Sequence, residues 1–292
     1  MNYILQNELL KLEVCDAGAE LHSIQGKQTN TEFLWNGNAE YWKYHSPILF
    51  PIVGKVLNNK YTVNGTTYEL PQHGLARISN FEKIAETESS ISFRLNYSKD
   101  TLKVYPFKFS LEITYTLQNS TVNIEYKVIN IDDKEIYFSI GAHPAFMCPI
   151  LENENFEDYY FEFEKKETKS IMELSPLGYF THNEIPYLNN ENIIPLTSEV
   201  FKNDALVFYD LNSRIINLKS KNHNKYVEFN FKNFPHLGLW SKPTGAPFVC
   251  IEPWFGHADF VDFNADFKEK AGIIKLNINK SFKCDYNVTI HE

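Results

Sequence analysis

The chain has 292 residues, 43% hydrophobic and 22% charged, ordinary figures for a soluble globular protein with room for one large domain or two small ones. Its 28 Lys and Arg stand against 37 Asp and Glu, a formal net charge of −9 with no basic stripe to offset it. That balance argues against nucleic acid and anionic membrane as partners.

The N-terminal stretch MNYILQNELLKLEV lacks a basic segment ahead of an apolar one, and no run of about 18 apolar residues occurs anywhere, so a cytoplasmic protein is expected. Cys15, Cys148, Cys250 and Cys284 are dispersed, which favours reduced thiols over a disulfide framework. Aromatic residues reach 15%, with 23 Phe and 17 Tyr, and such residues suit half-buried pleated surfaces.

In chain order, helical periodicity is confined to a turn or two around Glu40–Tyr44. YTVNGTTYEL then places Asn64-Gly65 between two strand-like segments, the signal for a type I′ hairpin turn. LPQHGLARISNF follows, with His73 and Arg77 four residues apart in a loop and Gly74 permitting an unusual backbone. ISFRLNY alternates with period two, as do LEITYTL (Leu111, Ile113, Tyr115, Leu117 on one face) and VNIEYKV (Val122, Ile124, Tyr126, Val128). The short link between the last two predicts an antiparallel hairpin. An apolar run from Tyr137 to Ile140 then meets Gly141-Ala142-His143-Pro144, where Gly141 lets the backbone bend and Pro144 stops pairing. This presents His143 at a strand end; the alternative is a core histidine satisfied by a carbonyl.

Residues 150–200, rich in Glu, Asn and Pro but still carrying aromatic and aliphatic residues, read as long excursions between strands within one domain, 1–292. YFEFE, YVEFNF and IIKLNI continue the alternation. Asp204 precedes the apolar run Ala205–Tyr209, as a hydroxyl-binding carboxylate or an ordinary turn aspartate. Glu252 follows the apolar Phe248–Ile251, where a carboxylate either escapes to water or is buried with a raised pKa suited to a general base. Pro253 reads as a rigid turn and Trp254 as a flank for a small polar ligand. Many short strands with frequent turns give an all-β fold, a sandwich or barrel.

Phosphate loops, dinucleotide fingerprints, nucleophile elbows and HExxH are absent, and the nine histidines show no ligand spacing, so neither metal nor cofactor is expected. What is left is acid–base chemistry by side chains on a polyhydroxylated ligand.

LFPIVGKVLNNKYTVNGTTYELPQHGLAR, IGAHPAF, NDALVF and LGLWSKPTGAPFVCIEPWFGHAD occur in that order and resemble the successive motifs of the aldose 1-epimerase (galactose mutarotase-like) family, closest to its LacX-type branch. The resemblance implies a large antiparallel β-sandwich and interconversion of the α and β anomers of an aldose. It places the family's catalytic histidine on His143 and catalytic glutamate on Glu252, with substrate-binding roles on His73, Asp204 and Arg77. Gly54-Lys55 stands where many relatives have Gly-Arg; lysine keeps the charge but loses the planar fork. Lys55, Arg77 and Lys242 could instead serve a phosphorylated hexose, as in hexose-6-phosphate mutarotases of the same fold. Other readings are a non-catalytic carbohydrate-binding or regulatory protein, and glycoside cleavage, which needs two opposed carboxylates. The partner expected is a small-molecule sugar; its identity and the oligomeric state are left open.

Overall fold

In a computed structural model describing residues 1–292, the alternating segments become strands with the expected faces inward. Leu111, Ile113, Tyr115 and Leu117 are buried along the strand Phe109–Gln118, as are Val122, Ile124, Tyr126 and Val128 along Thr121–Asn130. The two pair antiparallel, with Gln118 opposite Thr121 across the turn. At the other predicted hairpin, Asn64 and Gly65 have φ of 49° and 78°, the paired positive values of a type I′ turn.

The main sheet is antiparallel and brings sequence-distant strands together in the β-sandwich that the alternation and the resemblance imply. From one end its order runs Ile48–Leu49, Ile140–Ala142, Phe248–Phe255, His236–Trp240, Leu206–Tyr209 and Tyr159–Leu174. It continues through Ile215–Ser220, Tyr226–Asn230, Ser281–His291 and Thr121–Asn130 to Phe109–Gln118, Ser90–Asn96 and Glu82–Glu86. A smaller sheet is made by Asn2–Gln6, Leu10–Cys15 and Glu20–Gly26. The apolar core takes Leu5 from the first strand and Ile290 from the last, so both chain ends close on the same interior.

The first five strands of that order have two differently employed faces. Ile48, Ile140, Ala142, Val249, Ile251, Leu237, Leu239, Leu206 and Phe208 point into the main core. Their alternate neighbours Leu49, Val207 and Trp254 form a separate small cluster, and Phe248 and Cys250 another, on the opposite face. Period two therefore puts Gly141, Glu252, Gly238 and Trp240 away from the core, with His143 in phase with Gly141. The candidate site grows on this second face.

Several local expectations differ from what is observed. Pro144 interrupts the run after His143 without ending it: Ala145–Met147 pairs with Phe248–Phe255 directly afterwards. Pro253 makes no turn, since the strand runs on to Phe255 with Pro253 opposite Leu237. Glu252 is thus in mid-strand. Glu40–Tyr44 is not helical: a turn covers Ala39–Tyr41, with Trp42 N–H donating to Asn38 O, and the short α-helix lies at Thr101–Val104. Residues 150–200 are mostly a long irregular hairpin, Tyr159–Leu174 against Phe180–Pro195, whose several register shifts blur the alternation. Of IIKLNI only Ile274–Leu276 is strand. All four cysteines are buried and unpaired, and no helix is long and apolar enough to cross a membrane.

A buried ion pair ties the loops around the second face. Lys270 Nζ donates to Asp259 Oδ1 at 2.5 Å with both side chains 1% exposed. Asp259 Oδ2 also accepts Leu57 N–H at 2.8 Å, its backbone N–H donates to Lys55 O, and its carbonyl accepts Phe180 N–H. Through its carboxylate and backbone together, Asp259 joins the Lys55 loop, the hairpin and the C-terminal region. Burial lowers the Lys270 pKa and the Asp259 charge opposes that drop. Lys270→Met leaves Asp259 buried without its counter-charge and is expected to lower unfolding stability by about 3–5 kcal/mol. Adding Asp259→Asn should recover part of the loss; urea unfolding of the single and double variants checks both signs.

Candidate active site

A cleft of about 340 Å³ opens on the second face, and all seven residues singled out from the sequence line it: Lys55, His73, Arg77, His143, Asp204, Glu252 and Trp254. They come from five stretches of chain, which the strand order places side by side. Lys242 is elsewhere, beside a separate cavity with Pro243 and Thr244, its ammonium 3.4 Å from Glu40 O, and so does not contribute to this cleft.

Glu252 and His143 sit at the centre. Glu252 is 2% exposed and His143 7%. His143 Nε2 lies 3.3 Å from Glu252 Oε2. Burial raises the Glu252 pKa well above 4.5, and the nearby Asp204 charge pushes the same way. Burial also lowers His143 to about 3, assisted by the positive Arg77. Both shifts have the same cause, the cost of an ion out of water. Burial thus favours a neutral carboxylic acid beside a neutral imidazole, so across 3.3 Å the two together carry one exchangeable proton.

His143 is held by aromatic rings that no local sequence signal marked. Trp42 stacks on its imidazole with centroids 4.7 Å apart and planes at 30°, and Trp240 meets it edge-on at 5.7 Å. His73 closes a third side at 5.5 Å and 87°. The His143 backbone N–H donates to Pro47 O at 3.2 Å, while its Nδ1 has no partner. The imidazole is therefore fixed by packing rather than by a second-nitrogen hydrogen bond.

Two site residues have strained backbones: His73 at φ 66° and Asp204 at φ 80°. His73 is pinned by Gly54 O, which accepts its backbone N–H, and by Gly54 N–H, which donates to its Nδ1 at 3.1 Å. With Nδ1 accepting, the neutral ring carries its proton on Nε2, which lies 3.2 Å from the Gln72 side-chain amide. Burial, then the charges of His143, Arg77 and Lys55, holds the His73 pKa well below 6.5, so the ring is neutral. Gly74 has φ +73°, and a side chain there would lie 2.4 Å from Phe50 O, so the glycine is required. Arg77 donates to Gln72 O at 2.7 Å and lies 4.8 Å over the Tyr44 ring, and Lys55 Nζ donates to Leu177 O at 2.9 Å.

Gly141 has a different role from the bend expected of it. Its φ is not positive; instead an added Cβ would meet the Trp254 ring at 2.7 Å, as would one on Gly238. The two glycines make the slot in which Trp254 stands, and its indole N–H is left buried without a partner at the cleft wall.

His143, Cys250 and Glu252 form the one grouping close enough to hold a metal ion, their ligand atoms all within 4.8 Å of one another. Burial pushes the Cys250 thiol well above its usual pKa, and Glu252 reinforces this. A protonated thiol and a proton-sharing pair are a poor ligand set.

The aldose 1-epimerase family profile matches residues 1–269. Protein LacX of Lactococcus lactis subsp. lactis, in plasmid and chromosomal forms, is 32% identical over 99% of both chains. Among solved structures, a galactose mutarotase related enzyme from Lactobacillus acidophilus superposes with a TM-score of 0.94 at 35% identity, covering 100% of this chain and 98% of that one. A galactose mutarotase-like protein from Lactobacillus casei gives 0.93 at 28% identity with full coverage of both chains. The fold is the galactose mutarotase-like β-sandwich, and the chain belongs to the aldose 1-epimerase family.

Proposed function

We propose that this protein is an aldose 1-epimerase that interconverts α and β anomers by opening and reclosing the sugar ring. The observation that carries the reading is the buried Glu252–His143 pair, 3.3 Å apart and facing one cleft. Ring opening takes the proton from the anomeric hydroxyl and gives one to the ring oxygen. Those two oxygens share one carbon, so base and acid must converge on a single point, as these two side chains do.

Glu252 as carboxylate accepts the hydroxyl proton while His143 as imidazolium protonates the ring oxygen, and the C1–O5 bond breaks. Rotation about C1–C2 turns the other face of the aldehyde to the C5 hydroxyl. On closure His143 takes the proton back and Glu252 returns its own. The ion-pair form needed is a proton shift within the one-proton pair, so no proton need come from solvent. In this reading His73 and Asp204 hold hydroxyls, and Trp254 flanks an apolar sugar face.

The neutral hexose is the better substrate reading than a hexose phosphate. Glu252 and Asp204 share the cleft with Lys55 and Arg77, and both cations already donate to backbone carbonyls. With Lys242 outside, no third cation gathers there.

Glu252→Gln and His143→Ala are each expected to lower kcat by about 10²–10⁴-fold with the fold retained. The double variant should be little worse than either single one, because the two act as a unit. Anomerisation followed by polarimetry, with circular dichroism as the folding control, checks both; near wild-type rates in either single variant contradict the assignment.

The pH dependence follows from the same pair. His143, lowered to about 3, gains no second proton on mild acidification, and raised Glu252 keeps the first. kcat/KM should therefore hold from pH 7 down to about pH 5 and fall on the alkaline side, as the pair loses its only proton. An acid limb centred near the ordinary histidine value of about 6.5 would mean that His143 titrates as if exposed.

A further inference from the structure

The cleft does not end at Asp204. Leu174, Pro176, Asp204, Ala205 and Trp240 form a sill shared with a neighbouring groove of about 1030 Å³. At about 340 Å³ the cleft lies at the small end of ligand sites, enough for one hexose. The groove is about three times larger and serves no step of the chemistry above.

One wall of the groove is the long hairpin, with Ile171 and Met172 on one strand and Ile185 and Tyr187 on the other. Tyr187 is half-buried and packs edge-on against Phe208 with centroids 5.9 Å apart, which fixes its ring. Ile185 is 41% exposed on this wall. Polar lining is mainly acidic: Glu173, Glu199 and Asp204 against Lys202, whose ammonium is held by Glu199 at 2.7 Å. Such a surface offers apolar and aromatic patches to C–H faces and carboxylates to hydroxyl donors, and it repels anions.

Resting on the epimerase reading, we infer that the substrate is the reducing end of a neutral oligosaccharide. Its terminal aldose occupies the cleft, and the next one or two sugar units lie in the groove along the hairpin. Anomerisation involves only C1 and the ring oxygen, so the rest of a longer sugar must leave the cleft, and the Asp204 sill opens directly into the groove. Contacts remote from the reacting carbon then raise kcat/KM for the longer sugar.

The test measures α-to-β conversion for glucose, maltose and maltotriose, and for galactose and galactobiose, with wild type, Tyr187→Ala and Ile185→Asp. In at least one series, kcat/KM should rise about tenfold from monosaccharide to disaccharide, mainly through KM. Both variants should lose that gain while monosaccharide kcat/KM stays within about twofold of wild type. Ile185→Asp changes an exposed side chain and keeps the test valid should Tyr187→Ala destabilise the hairpin. Disaccharides no better than monosaccharides, or a gain that survives Ile185→Asp, overturns the inference.

Calorimetric titration with maltotriose, galactobiose and the two monosaccharides separates this from failure of the epimerase reading. If no sugar is anomerised, affinity that rises with sugar length and falls in Ile185→Asp still supports the groove. Affinity independent of length overturns it.

Discussion

A carboxylic acid in the middle of a buried strand is unfavourable unless it is neutral or its charge is shared, and Glu252 meets that condition through His143. Much of the surrounding structure follows from keeping the two together. Trp42, Trp240 and His73 box the imidazole, so it cannot rotate away from its partner. Gly141 and Gly238 give up side chains so that Trp254 can stand beside Glu252. Asp204 adds a negative charge that keeps a proton on the pair. Each feature costs something elsewhere, including the positive φ of His73 and Asp204. A site that trades stability for a shifted proton is what acid–base catalysis requires.

The pair is affordable because the sheet has two separately packed faces. Val249 and Ile251 anchor the same strand in the main core from which Glu252 turns away. The carboxylate therefore rests on a rigid element without being surrounded by core side chains, and its environment is a small, shaped cleft. The Asp259–Lys270 pair does the same for the loops, since Lys55 and Phe180 both reach the cleft from backbone that Asp259 ties down. Rigid strands set Glu252 and His143, and tethered loops set the rim.

Alternation made the strands at the far end of the main sheet legible, because a solvated face leaves polar residues at every second position, as in Phe109–Gln118 and Thr121–Asn130. The site strands are buried on both faces, and there the same reading failed. Phe248–Phe255 shows no polar alternation except Glu252, so the strand looked finished at Ile251 and Pro253 looked like a turn. The phase was nevertheless present: Ile140 and Ala142 inward, Gly141 and His143 outward. The seven residues that line the cleft were singled out as polar breaks in apolar runs and through their motifs. Trp42 and Trp240 were missed because aromatic residues in a chain with 15% aromatics carry no local mark, and only the tertiary pairing shows which of them touch His143. The hairpin from Tyr159 to Pro195 was read only in part for a related reason: YFEFE shows the alternation, but beyond Glu162 the bulges shift the register several times and period two is lost.

The central claim is that this cleft moves the anomeric proton of a sugar, and exchange NMR on the wild-type protein tests it without any variant. Magnetisation transfer between the α and β anomeric signals of galactose, glucose and glucose 6-phosphate reports the rate with and without catalytic amounts of protein. The account predicts acceleration of at least one neutral aldose, greater than for the phosphate. Binding without acceleration, for these and for longer reducing sugars, would contradict it and leave the buried pair as the floor of a sugar-binding site.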